Sequence, residues 1–132
     1  MDAVIYTRIS QDATGEQAGV TRQETECREL AQREGWTIRE VYSDNDLSAS
    51  NRRVKRPAFI RLVDDIRAGK AQALIAWHTD RLYRRLDDLA ELIEAVKDHD
   101  VRIRTVQAGE VDLSTASGIM TAEILASVGL SE

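Results

Sequence analysis

The 132-residue chain has the length of a single domain, and its 42% hydrophobic and 31% charged residues are ordinary for a folded one. At this length roughly two-thirds of the unfolded surface is buried on folding. No run approaches the roughly 18 apolar residues of a membrane span, and the first residues do not resemble a signal peptide. The single cysteine, Cys27, excludes an internal disulfide, so we expect a reducing, cytoplasmic compartment.

The charge balance gives two opposing indications. A net charge of −5 and a pI near 5.1 argue at face value against a nucleic-acid partner. Yet 15 of the 18 basic residues are arginine, the side chain suited to bidentate phosphate contact. Because a GC-rich coding bias would also raise the arginine total, only the positions of the arginines can decide.

Strand-like and helix-like segments alternate four times along the chain. The predicted elements are, in order, a strand at AVIYTRI, a helix at VTRQETECRELAQREGW, a strand at TIREVYSD, a helix at PAFIRLVDDIRAG, a strand at QALIAWH, a helix at RRLDDLAELIEAVKDHD, a strand at VRIRTVQ and a last helix within LSTASGIMTAEILASVGLSE. Such alternation predicts an α/β fold with a parallel sheet and helices on both faces. The polar stretch DNDLSASNRRVKR is predicted to be a loop.

Apolar spacing predicts which faces of the helices are buried. In the second helix the predicted core residues are Phe59, Ile60, Leu62, Val63 and Ile66. In the third helix they are Leu86, Leu89, Ile93 and Val96. The last helix is still apolar where the chain stops, so we expect the chain to be the front part of a longer protein.

Unusual polar residues follow the first three predicted strands, at the edge where open α/β sheets bind ligands. The first strand leads to Arg8 and Ser10, whose spacing of two places both side chains on one side of an extended chain. The second leads to Ser43, Asp44 and a basic run from Arg52 to Arg56. The residues after the third are His78, Asp80, Arg81, Arg84 and Arg85.

The arginines after the third strand are costly unless an anion binds there. At a helix start, Arg81 would share a face with Arg84 or with Arg85. Cations at a helix N-terminus oppose the helix dipole, at a cost of roughly 0.3 to 1 kcal/mol each. Arginines around one serine favour phosphoryl transfer, in which guanidinium groups stabilise the phosphate charge and the serine is the nucleophile.

Other chemistries lack their motifs. No histidine lies near the first strand's loop, so a Ser-His-Asp triad has little support. The chain has neither a Walker phosphate loop nor GxGxxG, and it lacks the acidic cluster of a two-metal nuclease. We therefore expect neither a metal nor a cofactor.

Three phrases together, YTRIS, KRPAF and TDRLYR, resemble the catalytic domain of the serine site-specific recombinases, which include resolvases, invertases and large serine integrases. The resemblance covers essentially the whole chain. It implies a three-layer, mostly parallel sheet of four or five strands in the order 2-1-3-4, with a short antiparallel edge possible. It also implies a catalytic domain over residues 1–113 and, over 114–132, the start of a long dimerisation helix.

The resemblance implies a mechanism and roles for individual residues. Ser10 would attack a DNA phosphodiester, forming a 5′-phosphoserine bond and freeing a 3′-OH, without metal or cofactor. Arg8, Arg81 and Arg84 take the places of the family's phosphate-binding arginines. Asp80 takes the place of the motif's acidic residue, which helps organise these arginines or handle protons. Gln23 and Arg56 correspond to two secondary active-site members.

The resemblance also implies the partners. These are double-stranded DNA at specific recombination sites and further copies of the chain, as a homodimer that assembles into a homotetramer for strand exchange and religation. The RPxF phrase and the long preceding loop are more similar to the integrases of phages and mobile elements than to small resolvases. Neither a helix-turn-helix nor a zinc ribbon is present, so we expect this chain alone to be inactive on DNA.

Two alternatives from other classes stay open. One is a non-catalytic α/β scaffold or oligomerisation module, although a receiver-type module would need paired acidic residues where Arg8 and Ser10 stand. The other is a hydrolase of small phosphoesters, which would turn over without DNA.

Overall fold

The computed structural model describes residues 1–9, 16–45, 56–83 and 85–131. The strands are β1 (Asp2–Ile9), β2 (Thr37–Asn45), β3 (Ala73–Ala76), β4 (Arg102–Thr105) and β5 (Gly109–Val111). The helices are α1 (Glu16–Glu34), α2 (Pro57–Arg67), α3 (Thr79–Leu82), α4 (Leu86–Val96) and α5 (Ala116–Ser131).

The five strands form one sheet in the order β2-β1-β3-β4-β5. β1 lies in the middle and pairs in parallel with β2 and β3, and β3 pairs in parallel with β4. Only β5 is antiparallel, with Ile103 opposite Val111. The predicted α/β class, the strand order and the short antiparallel edge are therefore confirmed.

Each face of the sheet is covered by its own hydrophobic cluster. Successive residues of β1 point to opposite faces, so Val4 and Tyr6 pack towards α2, α4 and α5, whereas Ala3 and Ile5 pack towards α1. Cys27 of α1 is fully buried in the second, smaller cluster. Burial raises the pKa of its thiol to about 12, so Cys27 behaves as a small apolar residue.

Helix α2 begins as its sequence predicts, with Pro57 in the first turn. Phe59, Leu62, Val63 and Ile66 are buried, but Ile60 is 57% exposed, so its predicted core position is wrong. Ile60 follows the buried Phe59 by one residue, and about 100° of helical rotation turns it to the solvent side. The same holds for Leu86 of α4, which is exposed in the helix's first turn.

The segment after β3 differs most from its prediction. The short helix α3 ends at Leu82, Tyr83 is extended with φ −141° and ψ 133°, and α4 begins only at Leu86. Arg81 therefore lies on α3 and Arg85 immediately before α4, so the predicted common helix face is wrong for this pair. Leu82 and Tyr83 are both buried, and Tyr83 leaves the helical path with extended dihedral angles.

Helix α5 is capped by Thr115, whose hydroxyl Oγ1 accepts a hydrogen bond from the amide of Gly118 at 3.0 Å. A Cβ atom on Gly118 would overlap the carbonyl oxygen of Asp112, so this position requires glycine. Exposed apolar residues follow along α5. Within the ranges described above, no helix combines the length and apolar character of a membrane span.

Candidate active site

Arg8 lies near the carboxyl end of β1 and is 3% exposed. Its guanidinium Nη2 donates to the main-chain oxygen of Asp80 at 2.6 Å. Arg8 is in register with Asp44 of the neighbouring strand β2 and lies on the same face of β1 as Tyr6. The sheet thus holds a buried guanidinium at the edge where open α/β sheets bind ligands.

Asp80 and Arg81 lie on the one-turn helix α3, which begins soon after β3 ends. The ring Nδ1 of His78 accepts from the Asp80 amide at 3.1 Å, and Tyr83 N donates to Thr79 O at 2.9 Å. The Asp80 carboxylate is largely exposed, 3.2 Å from His78 Nδ1 and 4.0 Å from Arg81 Nε. In the described contacts Asp80 therefore holds Arg8 through its backbone carbonyl rather than through its acid group.

Two other predicted site residues carry unsatisfied polar atoms. Arg81 Nε and Gln23 Oε1 are both buried and have no hydrogen-bond partner within the described part of the chain. Buried polar groups in native proteins are normally hydrogen-bonded, so both atoms are available to water or to a ligand. For the Arg81 guanidinium, the complementary ligand is an acceptor with negative charge.

Sequence reasoning missed the role of Tyr6 and Asp44. The Tyr6 hydroxyl donates to Asp44 Oδ2 at 2.6 Å, and the Asp44 carboxylate also accepts from the amides of Ala58 at 2.8 Å and Phe59 at 2.9 Å. Asp44 thus ties β1 to the N-terminus of α2, where a negative charge is favourable. In the sequence, Tyr6 has the character of a core strand residue and Asp44 that of the start of a loop. The available signal was that Tyr6 and Asp44 lie on the same face of the sheet as Arg8.

Arg56 binds the same network from the residue before α2. Its guanidinium donates to the Tyr6 hydroxyl at 3.0 Å, to Leu82 O at 2.7 Å and to Asp88 Oδ2 at 2.9 Å. Its Cζ atom lies 4.1 Å from the centre of the Phe59 ring. Arg56 therefore joins β1, α2, α3 and α4 at one point.

Burial dominates the electrostatics of this network. It raises the pKa of the Tyr6 hydroxyl well above its usual value, although the Arg56 charge opposes the shift, so the hydroxyl stays protonated and donates to Asp44. Burial also raises the pKa of the Asp88 carboxyl, again against the opposing charge of Arg56. Desolvation thus outweighs ion pairing at both groups.

The predicted site residues divide into three groups. Arg8, Asp80, Arg81 and Arg56 converge on α3 and the adjacent end of β1. Gln23 is buried on α1, and no hydrogen bond among the described residues joins its Oε1 atom to the others. Ser10 and Arg84 lie outside the described residues, as does the basic run from Arg52 to Lys55.

No group of three or more His, Cys, Asp or Glu side chains suited to a metal ion occurs among the described residues.

Arg85 is exposed at the start of α4 and pairs with Asp87 at 3.1 Å. It is thus a solvated residue at the start of a helix.

Comparison with known proteins finds a resolvase that matches about two-thirds of the chain. The Tn2501 resolvase of Escherichia coli is 34% identical over 85 residues, which are 64% of this chain and 43% of that protein. The chain therefore spans less than half the length of this curated relative.

Solved structures match the fold at greater coverage. The N-terminal catalytic domain of TP901-1 integrase has a TM-score of 0.74 at 25% identity and covers 97% of this chain and 93% of that one. A resolvase family site-specific recombinase from Streptococcus pneumoniae has a TM-score of 0.77 at 20% identity and covers 99% and 89% of the two chains. The second likeness supports the fold alone.

The family profile described as "Resolvase, N terminal domain" matches residues 3–131. This range contains the three phrases YTRIS, KRPAF and TDRLYR, and it includes every strand of the sheet except the first residue of β1. On this match, the chain belongs to the resolvase N-terminal domain family.

Proposed function

We propose that the chain is the catalytic domain of a site-specific DNA recombinase in which Ser10 is the nucleophile. In the cleavage step, the Ser10 oxygen forms a bond to a DNA phosphorus atom, and the bond from phosphorus to the 3′ oxygen breaks. The serine proton is lost and the 3′ oxygen leaves as a hydroxyl. Because the phosphodiester energy is kept in the protein linkage, the reverse attack by a 3′-OH reseals DNA without a cofactor.

The convergence of Arg8 and Arg81 carries this proposal. Arg8 is buried two residues before Ser10 and is held by the Asp80 carbonyl, next to Arg81 with its unsatisfied Nε. Both guanidinium groups are mostly withdrawn from water, where such groups strongly stabilise the charge that develops on a phosphate during displacement. Arg84, Gln23 and Asp80 are further proposed members of this site, with the roles that the family resemblance implies.

The proposal includes the assembly and the rest of the protein. In the full-length protein, homodimers would pair into a homotetramer on two recombination sites, with residues 1–113 as the catalytic domain and 114–132 beginning the dimerisation helix. The exposed apolar residues of α5, among them Ile124 and Leu125, support this assembly. Integration of a phage or mobile element is the proposed biological role, and the cytoplasm the proposed compartment.

A covalent-capture experiment tests the mechanism. The full-length protein is incubated with duplexes that carry the sequences flanking its coding element, quenched in denaturant and resolved for DNA-linked protein. We expect a linked band that is absent in Ser10→Ala and about 100-fold weaker in Arg81→Ala, because loss of one transition-state donor typically costs that much. Arg85→Ala, with its exposed side chain, is the matched control and should retain the band.

Other results would favour the alternatives. A band that persists in Ser10→Ala would disprove the proposed nucleophile. DNA binding without any linked band would favour the scaffold. Multiple turnovers of p-nitrophenyl phosphate without DNA would favour the phosphoester hydrolase.

A further inference from the structure

The Arg56 guanidinium occupies a nearly enclosed place between three elements. Its Nε and Nη2 atoms both donate to the Tyr6 hydroxyl of β1, at 3.3 Å and 3.0 Å. Nη2 also donates to the carbonyl of Leu82, the last residue of α3, and Nη1 donates to Asp88 in α4. The Arg56 side chain is only 11% exposed. A single planar group therefore fixes the relative positions of β1, α3 and α4.

Asp88 supplies the charged acceptor among the described contacts of this guanidinium. The Tyr6 hydroxyl and the Leu82 carbonyl are neutral. The Asp88 side chain is 22% exposed, so water and salt screen the pair only in part. Because the guanidinium is rigid and planar, anchoring Nη1 on Asp88 also sets the direction in which Nη2 points. Removing the carboxylate would leave a mostly buried cation without this anchor, which is unfavourable.

The geometry of α3 depends on contacts at its ends. The helix has four residues, and a helix this short is unstable by itself. His78 caps its start, and the Arg56 contact with the Leu82 carbonyl holds its end. Between these points lie the Asp80 carbonyl, which holds Arg8, and Arg81 with its buried Nε. A shift of the Leu82 end would therefore displace both arginines.

We propose that Asp88 is a positioning residue for DNA cleavage, which acts through Arg56 to fix the turn that carries Asp80 and Arg81. This inference rests on the proposed function. Asp88 stands in the first turn of α4, where acidic residues commonly serve only the helix dipole. Its neighbour Asp87 shows that simpler role: its side chain is 68% exposed and pairs with Arg85. The two aspartates thus give a matched pair for experiment.

The test combines cleavage kinetics with hydrogen exchange in the full-length protein. Asp88→Asn is compared with Asp88→Glu and with Asp87→Asn. At saturating DNA, we expect the single-turnover rate of covalent capture to fall about tenfold or more in Asp88→Asn, because small misplacements of catalytic groups have effects of this size. DNA affinity should change by less than about threefold, which is under 1 kcal/mol. Asp88→Glu should recover part of the rate, and Asp87→Asn should match the wild type.

Hydrogen exchange reports on the turn independently of catalysis. The amides of Arg81 and Tyr83 bond to His78 O and Thr79 O within this turn. We expect both to exchange about tenfold faster in Asp88→Asn, with β3 amides such as that of Ile75 unchanged as evidence of an intact fold. Asp87→Asn should leave all of these rates unaltered.

The outcomes separate this inference from the proposed function. Unchanged exchange at Arg81 and Tyr83 in Asp88→Asn overturns the inference, and so does faster exchange with a wild-type rate of capture. If the wild-type protein forms no covalent complex, the proposed function fails. The exchange rates then decide alone whether Asp88 holds the turn.

Discussion

Asp44 shows how one side chain can hold together segments far apart in sequence. Its two carboxylate oxygens accept from the Tyr6 hydroxyl and from two amides at the start of α2, and the residue is only 4% exposed. These donors need an acceptor with several lone pairs and full charge, which a carboxylate provides and a carboxamide does not. Asp44 is thus both a strand residue and the cap of the next helix.

Asp44→Asn should therefore lower the free energy of unfolding by about 1.5–3 kcal/mol, the range for hydrogen bonds to charged groups. The carboxamide nitrogen would also place N–H donors against the hydroxyl and amide donors that now bind the carboxylate. Urea denaturation monitored by circular dichroism measures the change. Asp64→Asn, at an exposed position of α2, is the control and should change stability by less than about 0.5 kcal/mol. Equal effects of the two variants would contradict this account of Asp44.

Individual residues of the candidate site could be proposed from the sequence only where a motif marks them. Arg8 stands in YTRIS and Arg81 in TDRLYR. Arg8 donates to the Asp80 carbonyl, and Arg81 is the residue that follows Asp80. Tyr6 and Asp88 were missed because each has an ordinary local explanation, as a core strand residue and as a helix-start acid. Both contact Arg56, which lies 50 and 32 residues away in sequence, and no local pattern encodes contacts at that distance.

At the scale of elements, apolar spacing predicted each long helix but not the break between α3 and α4. Leu82, Leu86 and Leu89 continue a helical spacing across the break, so the periodicity gives no sign of it. The break is fixed by tertiary packing of Tyr83 and by the hydrogen bond from Arg56 to Leu82 O. Strand β5, with three residues, is likewise too short to show a period.

The start of α5 offers a direct test of element geometry. Gly118→Ala should destabilise the protein, because the new Cβ would overlap the backbone oxygen of Asp112 and the chain would have to move. The loss should exceed about 1 kcal/mol, the lower end of the cost of forcing a group into a packed site. Thermal unfolding of the variant measures it.

Gly19→Ala is the matched control for this substitution. Gly19 lies within α1, and a Cβ atom added there would have nothing within 4 Å, so alanine should raise stability by about 0.5–1 kcal/mol through its higher helix propensity. Opposite signs for the two variants are expected. A stabilising effect of Gly118→Ala would show that the close approach to Asp112 is absent in solution.

At the scale of the whole molecule, strand–helix alternation was sufficient to predict one sheet with helices on both faces. The same alternation does not determine what covers the outer side of α5. Ile124 and Val128 are more than half exposed, as is Leu125 beside them. An apolar face of this kind on a monomer is typical of an interaction surface.

If α5 joins two copies as proposed, Ile124→Glu should weaken self-association at least about tenfold, since a charge would enter an apolar interface. Sedimentation velocity over a range of protein concentrations measures the monomer fraction. Ser127→Glu, at an exposed position of α5 one turn after Glu123, adds the same charge on a more polar side of the helix and should have a smaller effect. Identical sedimentation of both variants and the wild type would argue against this interface.

The Arg56 network also has a consequence for the order of folding. Its hydrogen bonds join Tyr6 to Asp44, Arg56 to Leu82 and Arg56 to Asp88 across 38, 26 and 32 residues. Contacts this distant in sequence form late, because each requires closure of a long loop. A growing polypeptide that already contains Arg8 would lack the contacts that hold the Arg8 guanidinium until α3 and α4 have been synthesised and packed. The proposed phosphate-binding arginine, though made among the first residues, would thus be fixed only when most of the domain is complete.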